Sequence, residues 1–567
     1  VNAEYLDIVK MFLPEIVLTV GALLVLGIDL CLRKCNTRRA LVILGVFVSL
    51  AAAGAAMWQW DRTDFAKQPY VGNAVKTMAT EVGRPGLLLL DEIPDATARQ
   101  VVTAYKAKRH TSILTSEAKA RAQQNATQEI SGITPYDAGL SSPAFSTWWL
   151  FKTDKFALIF KVIFALALAL VLLLSTRFQV DRYRGEFAAL LMFAAVGLMV
   201  MASSLDLVVI FLGLELASLC FYALAAWHKT DARSAEAGTK YLLLGSLASA
   251  FFIYGASLFF VQYGSTHLSV LGSMVTSSPM TLVALLMVLV SFLFKVAGAP
   301  FHLWAPDVYQ GAPTAMVAFL STASKAAGFA VLVRVLSGTF LQYSGAWQLL
   351  FIMVAGLSIL LGNLIAIHQN NVKRLLAYSG IAQAGYILIG VVAMGFPGSG
   401  TSLNEALPVT SVIFYLFLYM VMNIGAFAVV GIVGRETGSE EMSAFAGLRA
   451  RAPVLAFAFT LLLLALGGIP MLSGFVGKWF LFLAGVNEGQ HLLVLLGTTM
   501  SVVSMYYYLL VVKAMYILPA AEGAKPIRVG SLASIGLAVI VIITVAIGIY
   551  PGPLYTLVQA AAKSLVQ

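Results

Sequence analysis

The strongest constraint on this chain is a succession of about fourteen apolar stretches, each of about 20 residues. They lie near 12–32, 40–60, 155–175, 187–203, 206–227, 240–262, 281–305, 314–337, 347–367, 375–396, 409–434, 453–487, 491–516 and 530–551. A helix of that length crosses the hydrocarbon core of a bilayer, where only helices and closed barrels satisfy their own backbone groups. An all-α polytopic membrane protein is therefore expected. Composition agrees, since 60% of the 567 residues are hydrophobic and 11% charged, against about 25% charged in a soluble domain. The net charge of +10 does not imply nucleic acid, because the basic residues are scattered through short loops rather than gathered on a polar face. Cys31, Cys35 and Cys220 have no metal-binding or redox spacing and are read as plain thiols. The first apolar run lacks a basic leader and a small-residue cleavage site, so it is expected to be a retained helix.

The loops set the orientation. Arg33, Lys34, Arg38 and Arg39 follow the first span, Arg177, Arg182 and Arg184 the third, Lys229 and Arg233 the fifth. Lys373 and Arg374 follow the ninth, Arg435, Arg449 and Arg451 the eleventh, and Lys513, Lys525 and Arg528 the thirteenth. Alternate loops such as 263–280, 338–346 and 397–408 contain no lysine or arginine. By the positive-inside rule both termini lie outside the cytoplasm, which requires an even number of spans. The long polar segment 61–150 is then an extracytoplasmic insertion. Its GLLLLDEIPDA run looks like the acidic strand of a nucleotidase, but the chain has no GxxxxGK[ST] loop to go with it. A helix is expected over 96–130, Asn125 heads a glycosylation sequon by pattern, and Trp148 and Trp149 stand where interfacial aromatics do.

The seventh and twelfth spans are unusually long, and each is interrupted, by Gly298 and Pro300 in one and by Gly467, Gly468 and Pro470 in the other. Proline removes an amide donor and glycine disfavours helix, so both helices are expected to break there. Two broken helices five spans apart suggest an internal repeat and point to a transport site. Charged residues gather around the breaks. Lys295 precedes the first break, Lys325 lies in the eighth span and Lys478 follows the second break. A charge at the bilayer centre costs about 2.5–3.5 kcal/mol on insertion scales, so such lysines face protein or water and carry function. Glu215 lies within the fifth span, with a hydrogen-bonded carboxyl locking two helices as the alternative reading. Lys240 starts the sixth span, where snorkelling to the headgroups explains it equally well. Carboxylates and lysines that change partners can hand on a proton, since a partner favours the charged form and burial disfavours it. Each charge moved against 100 mV costs about 2.3 kcal/mol, and the chain shows no phosphate loop, nicotinamide or flavin fingerprint or iron–sulfur cysteine set. The drive is expected to come from partner subunits.

FKVAGAPFHLWAPDVYQGAP, STASKAAGF, QNNVKRLLAYSGIAQAGYILIG and SGFVGKWFLF resemble the antiporter-like membrane subunits of proton-pumping NADH:quinone oxidoreductase, respiratory complex I, in particular its subunit N branch, the counterpart of mitochondrial subunit 2. The resemblance covers the chain outside about 61–150. It implies fourteen helices in two inverted five-helix repeats, with the seventh and twelfth broken. The units would be 1–60 (two helices), the insertion 61–150, the third helix and its loop 151–186, the repeats 187–337 and 338–516, and a last helix 517–567. It also implies roles. Glu215 would pair with Lys240 or Lys295, Lys295 would be the pumping lysine, Lys325 would link two half-channels, and Lys478 would serve the exit side. His302 would be a hydrated relay group near the first break, a structural hydrogen bond being the alternative. FMN, iron–sulfur clusters, NADH and quinone would belong to partner subunits, with no cofactor or metal in this chain. Other membrane subunits, including neighbouring antiporter-like ones, and the lipid of a bacterial inner membrane would surround it.

Two features depart from the family pattern. Gln383 stands where many relatives have histidine, so the connection to Lys478 must run through water or other side chains. The insertion has no family counterpart, and bracing a neighbouring subunit or accessory protein is the role expected for it. Two alternatives remain: a subunit of a sodium/proton antiporter or membrane-bound hydrogenase, although the multisubunit antiporters, like subunits L and M, typically carry histidine at the place of Lys325, and a purely structural membrane subunit whose lysines only hold helices together.

Overall fold

The computed structural model describes residues 10–31, 38–60, 150–175, 184–276, 278–395, 406–520 and 524–566. The expectations for 61–149, for Cys35 and for the basic residues Arg33, Lys34, Arg177 and Arg182 lie outside the described residues.

The described residues form helices and no strand. The first half holds α1 (Leu13–Cys31), α2 (Arg38–Trp60), α3 (Lys155–Ser175), α4 (Arg184–Ser203), α5 (Leu207–Ala225) and α6 (Ala232–Tyr263). Next come α7 (Pro279–Val296), the short α8 (Trp304–Gly311) and α9 (Thr314–Gly338). The second half holds α10 (Ser344–Ala366), α11 (Val372–Ala393), α12 (Leu407–Thr437), α13 (Pro453–Gly467), α14 (Ser473–Asn487), α15 (His491–Tyr516), α16 (Ser531–Ile549) and α17 (Gly552–Val566). Twelve of the described helices are long and apolar enough to cross a membrane. The 19-residue α1 and the broken α13–α14 pair complete the fourteen spans expected.

Burial follows from the bilayer as solvent. In lipid an apolar helix gains nothing by hiding, whereas a helix with polar groups must hide them. Accordingly α9 and α11, which carry lysine, glutamine and serine among apolar residues, are buried within the bundle, and the very apolar α16 lies largely at its rim. The mixed helix α15 also stays at the rim, and turns Ser504, Tyr507 and Tyr508 inward.

The two halves repeat their close packings. Helices α4 and α5 touch backbone to backbone, so that a Cβ on Gly197 would stand 2.6 Å from the Gly213 carbonyl. Helices α10 and α11 do the same, and a Cβ on Gly362 would stand 2.5 Å from the Ala382 nitrogen. Small residues at both crossings let main chains approach where side chains would hold them apart.

Both expected breaks are present. Helix α7 ends at Val296, one residue past Lys295, with Ala297 in the left-handed region (φ 59°) and a cis peptide bond between Ala299 and Pro300. The groups freed by the break are satisfied from elsewhere, the Phe294 carbonyl by the Trp304 indole at 3.0 Å and the Ala299 amide by Ser358 at 2.8 Å. Helix α13 ends at Gly467, followed by Gly468 at φ 93° and Met471 at φ 69°. A third irregularity was not foreseen. A π turn, Leu320–Ser324, interrupts α9 immediately before Lys325.

Loops assigned to one side of the membrane bond to loops of that same side. Phe151 bridges Ser204 and Asp206 bridges His267 on the side expected to be outer, while Asn371 bridges Glu441 on the opposite one.

Candidate functional site

The charged and polar groups of the two breaks and of α9 form one buried lane. At its first end Glu215, half-buried on α5, accepts a hydrogen bond from Ser249 of α6. Ser218 lies three residues on, hence on the same face of α5. It accepts from the Lys295 ammonium at 3.1 Å, and that ammonium also sits 5.6 Å from the centre of the Phe221 ring. Lys295 is only 6% exposed. It stands in the last turn of α7, where the negative end of the helix dipole favours a cation.

Lys240 is not beside Glu215. It bonds Glu236 and Asp307 at 2.6 Å each, and its side chain is 42% exposed. The residue of α6 that does meet Glu215 is Ser249, nine positions further, a rise of about 13 Å. Asp307 also receives Arg374 at 2.7 Å, so Lys240 belongs to a partly exposed ion cluster. Glu215 and Lys295 likewise make no direct ion pair and meet through α5. His302 lies in the link between α7 and α8, buried and within reach of the Pro300 backbone.

Helices α7 and α9 pack together at Lys295. A Cβ on Gly328, three residues from Lys325, would stand 3.4 Å from Cγ of Lys295. The Lys325 ammonium donates to the Gly380 carbonyl of α11 at 2.6 Å and lies 5.6 Å from the centre of the Tyr419 ring.

At the other end Lys478, on α14, reaches back to the end of α13. Its ammonium donates to the Leu466 and Gly467 carbonyls, each at 3.0 Å, and to Ser501 at 2.8 Å, with Tyr386 beneath it at 4.8 Å. The Leu466 carbonyl also accepts from Gln383 at 3.1 Å, and Gln383 in turn accepts from the Tyr415 hydroxyl. Gln383 and Lys478 thus meet at one backbone carbonyl.

Sequence reading missed the tyrosines. Tyr415, Tyr419 and Asn423 recur every four residues along α12, and Asn423 donates to Ser321 of the π turn at 2.8 Å. That i, i+4, i+8 spacing in YLFLYMVMN marks a polar stripe facing the bundle interior, and it was available as a signal. Two buried ion pairs were missed as well. Asp154 holds Arg334 through two hydrogen bonds of 2.9 Å, and Glu15 holds Lys161 at 2.6 Å. Among the described residues there is no group of three or more histidine, cysteine, aspartate or glutamate side chains able to hold a metal.

A family model described as "NADH:quinone oxidoreductase/Mrp antiporter, TM" matches residues 204–504, which include every residue of this lane. The chain is 44% identical over 432 residues to NADH-quinone oxidoreductase subunit N of Desulfitobacterium hafniense, covering 74% of this chain and 86% of that one. The chain belongs to the NADH-quinone oxidoreductase subunit N family. Among solved structures, a chain of respiratory complex I from Thermus thermophilus superposes with a TM-score of 0.68 at 26% identity, over 96% of this chain and 98% of that one. A chain of the Mrp complex from Dietzia sp. DQ12-45-1b shares the fold with a TM-score of 0.66 at 20% identity, over 94% of this chain and 98% of that one. The subunit N family and the Mrp complex thus share an architecture, and sequence identity places this chain with the former.

Proposed function

We propose that the chain is a proton-translocating membrane subunit of a NADH:quinone oxidoreductase, and that Glu215, Lys295, Lys325 and Lys478 hand protons along its interior. The observation that carries this reading is the kind of partner each lysine has. Lys295, Lys325 and Lys478 are 6%, 2% and 3% exposed, and their hydrogen bonds go to hydroxyls and backbone carbonyls. Arg334, equally buried, is clamped by a carboxylate through two bonds. A buried base clamped by a carboxylate is held in one protonation state, whereas one held by neutral acceptors is free to gain and lose its proton. Lys240, with its carboxylates and its exposure, fits a role at the cytoplasmic mouth, and His302, buried beside the α7 break, fits a hydrated relay group there.

The breaks serve the same end. At the α13 break the freed Leu466 and Gly467 carbonyls replace water around the Lys478 ammonium, while the α7 break leaves Lys295 in the last turn of a buried helix end. The lane contains no source of energy, so the drive comes from electron transfer in partner subunits, which would hold FMN, iron–sulfur clusters, NADH and quinone. Spans 187–337 and 338–516 would be the two repeats, each with a broken helix, and both termini would face away from the cytoplasm of a bacterial inner membrane.

The test is Lys295→Ala in the assembled complex, reconstituted in vesicles. Assembly at the parental level with strongly reduced NADH-driven proton uptake is expected, and full coupled pumping would remove the relay. Flavin and iron–sulfur absorption with NADH-dependent quinone reduction in the purified assembly separates this reading from a sodium/proton antiporter, which would have none of the three.

A further inference from the structure

Between Lys325 and Lys478 lies a stretch with no charged side chain of its own, and its hydrogen bonds have a definite direction. On α11, Gly380 and Gln383 are three residues apart; on the facing α12, Tyr419 and Tyr415 are four apart. Both spacings bring residues to one helix face, so the two helices meet in two rungs. In the first rung the Lys325 ammonium bonds the Gly380 carbonyl under the Tyr419 ring. In the second, Tyr415 donates to the side-chain oxygen of Gln383 at 2.5 Å, and the Gln383 amide donates at 3.1 Å to the Leu466 carbonyl that also receives Lys478. Gln383 is 1% exposed, and this arrangement satisfies its oxygen and one amide hydrogen.

We propose that Gln383 is a positioning residue for Lys478, holding the Leu466 carbonyl in place through a donor–acceptor bridge from Tyr415 that works only while residue 383 accepts on one side and donates on the other. The inference rests on the relay reading of Lys478. A carboxamide does both at every pH, because it does not titrate. When Lys478 gives up its proton, the bridge keeps the Leu466 carbonyl paired and aimed, so the returning proton meets an unchanged cradle. Buried polar networks rigidify when fully satisfied and lose that benefit when one member is removed.

Histidine at this place is the decisive variant. A neutral imidazole has one acceptor and one donor nitrogen, so it can take both bonds; a protonated imidazole has two donors and cannot accept from Tyr415. The groups facing position 383 are Tyr415 from α12, the Leu466 carbonyl from α13, Lys478 from α14, and Ser379, Tyr386 and the Ser379-bound Tyr508 around α11 and α15. Lys478 alone among these carries charge, so an imidazolium would meet a second cation as well as lose its acceptor.

The experiment measures NADH-driven proton pumping by the intact complex in vesicles across pH, alongside its quinone reductase rate. Gln383→Leu is expected to pump about tenfold more slowly at every pH, the factor for one lost buried hydrogen bond of about 1.4 kcal/mol. Tyr415→Phe should slow it similarly, and the double variant should be no slower than either single one, as for two members of one network. Gln383→His is expected to pump at the parental rate at alkaline pH and to fall away as the medium is acidified, while the parent does not. Since both limbs are read from one assembled protein, this arm stands even if Gln383→Leu does not assemble. A pH profile for Gln383→His parallel to the parent's overturns the proposal. So does parental pumping by Gln383→Leu when Lys478→Ala is inactive, an outcome that leaves the relay intact. If Lys478→Ala itself pumps at the parental rate, the relay reading fails and this inference with it.

Discussion

At the scale of single residues, the buried charges divide by what holds them. Asp154 and Arg334 lock the start of α3 to α9. The Arg334 Nε donates to the Ala202 carbonyl at 3.1 Å, and its guanidinium lies 4.9 Å from the Phe156 ring centre. Removing one member of such a pair leaves the other charge buried and unsatisfied, which costs about 3–5 kcal/mol, whereas replacing both with apolar groups is often neutral. Arg334→Met should therefore lower the thermal midpoint of the purified complex markedly, and Asp154→Leu with Arg334→Met should restore most of the loss. Lys325→Met should behave oppositely. It leaves behind only the Gly380 carbonyl, so assembly and thermal midpoint should stay near parental while proton pumping is lost. A thermal midpoint for Lys325→Met as low as that of Arg334→Met would make Lys325 a structural lysine. The sequence distinguishes these cases poorly. Asp154 and Arg334 stand at the ends of their spans, 180 positions apart, and only the fold shows that they meet. Lys295, Lys325 and Lys478 were legible because each stands well inside its span or beside a break, where snorkelling to the headgroups is hard.

At the scale of elements, the breaks were legible for the same reason that they exist. Gly298 with Pro300, and Gly467, Gly468 with Pro470, remove donors or helical preference at chosen points, and the helices stop there. The destination of the freed carbonyls was not legible. The Leu466 and Gly467 oxygens are taken by a lysine twelve and eleven residues later, because the link between the half-helices sets the first turn of α14 beside the last turn of α13. That contact depends on Gly474, where a Cβ would stand 1.8 Å from the Ala465 carbonyl oxygen. Gly474→Ala must push the two half-helices apart and carry Lys478 from its cradle. Pumping should fall to near the level of Lys478→Ala, with less assembled complex on a native gel. Gly27→Ala, on a helix surface with nothing within 4 Å of the added carbon, is the control and should change neither. The π turn of α9 left no such signature in the sequence, since LSTAS contains no helix breaker. Its only trace is the serine and threonine hydroxyls that bond back to the Ala318 carbonyl.

At the scale of the whole molecule, the bilayer made the span count and the alternation of loops readable, since a helix that enters must leave. The loop pairings of the structure agree with that alternation, each joining loops on one side. Which side is the cytoplasm is expected from charge alone, and the direction of the proposed relay depends on it. Cysteine labelling decides the matter. With Cys31, Cys35 and Cys220 replaced, Thr230→Cys in the exposed turn between α5 and α6 and Lys563→Cys near the end of α17 report on opposite sides. A membrane-impermeant maleimide applied to intact spheroplasts should label Lys563→Cys and leave Thr230→Cys untouched, and inverted vesicles should show the reverse. Labelling of Thr230→Cys from outside would place the Lys240–Asp307–Arg374 cluster on the outer face. Protons gathered from the cytoplasm would then first meet the opposite ends of α5 and α7, and the order of transfer through Lys295, Lys325 and Lys478 would have to be rebuilt. The charge distribution argues against that outcome, because it would strand six basic loops on the translocated side, where the insertion machinery disfavours lysine and arginine.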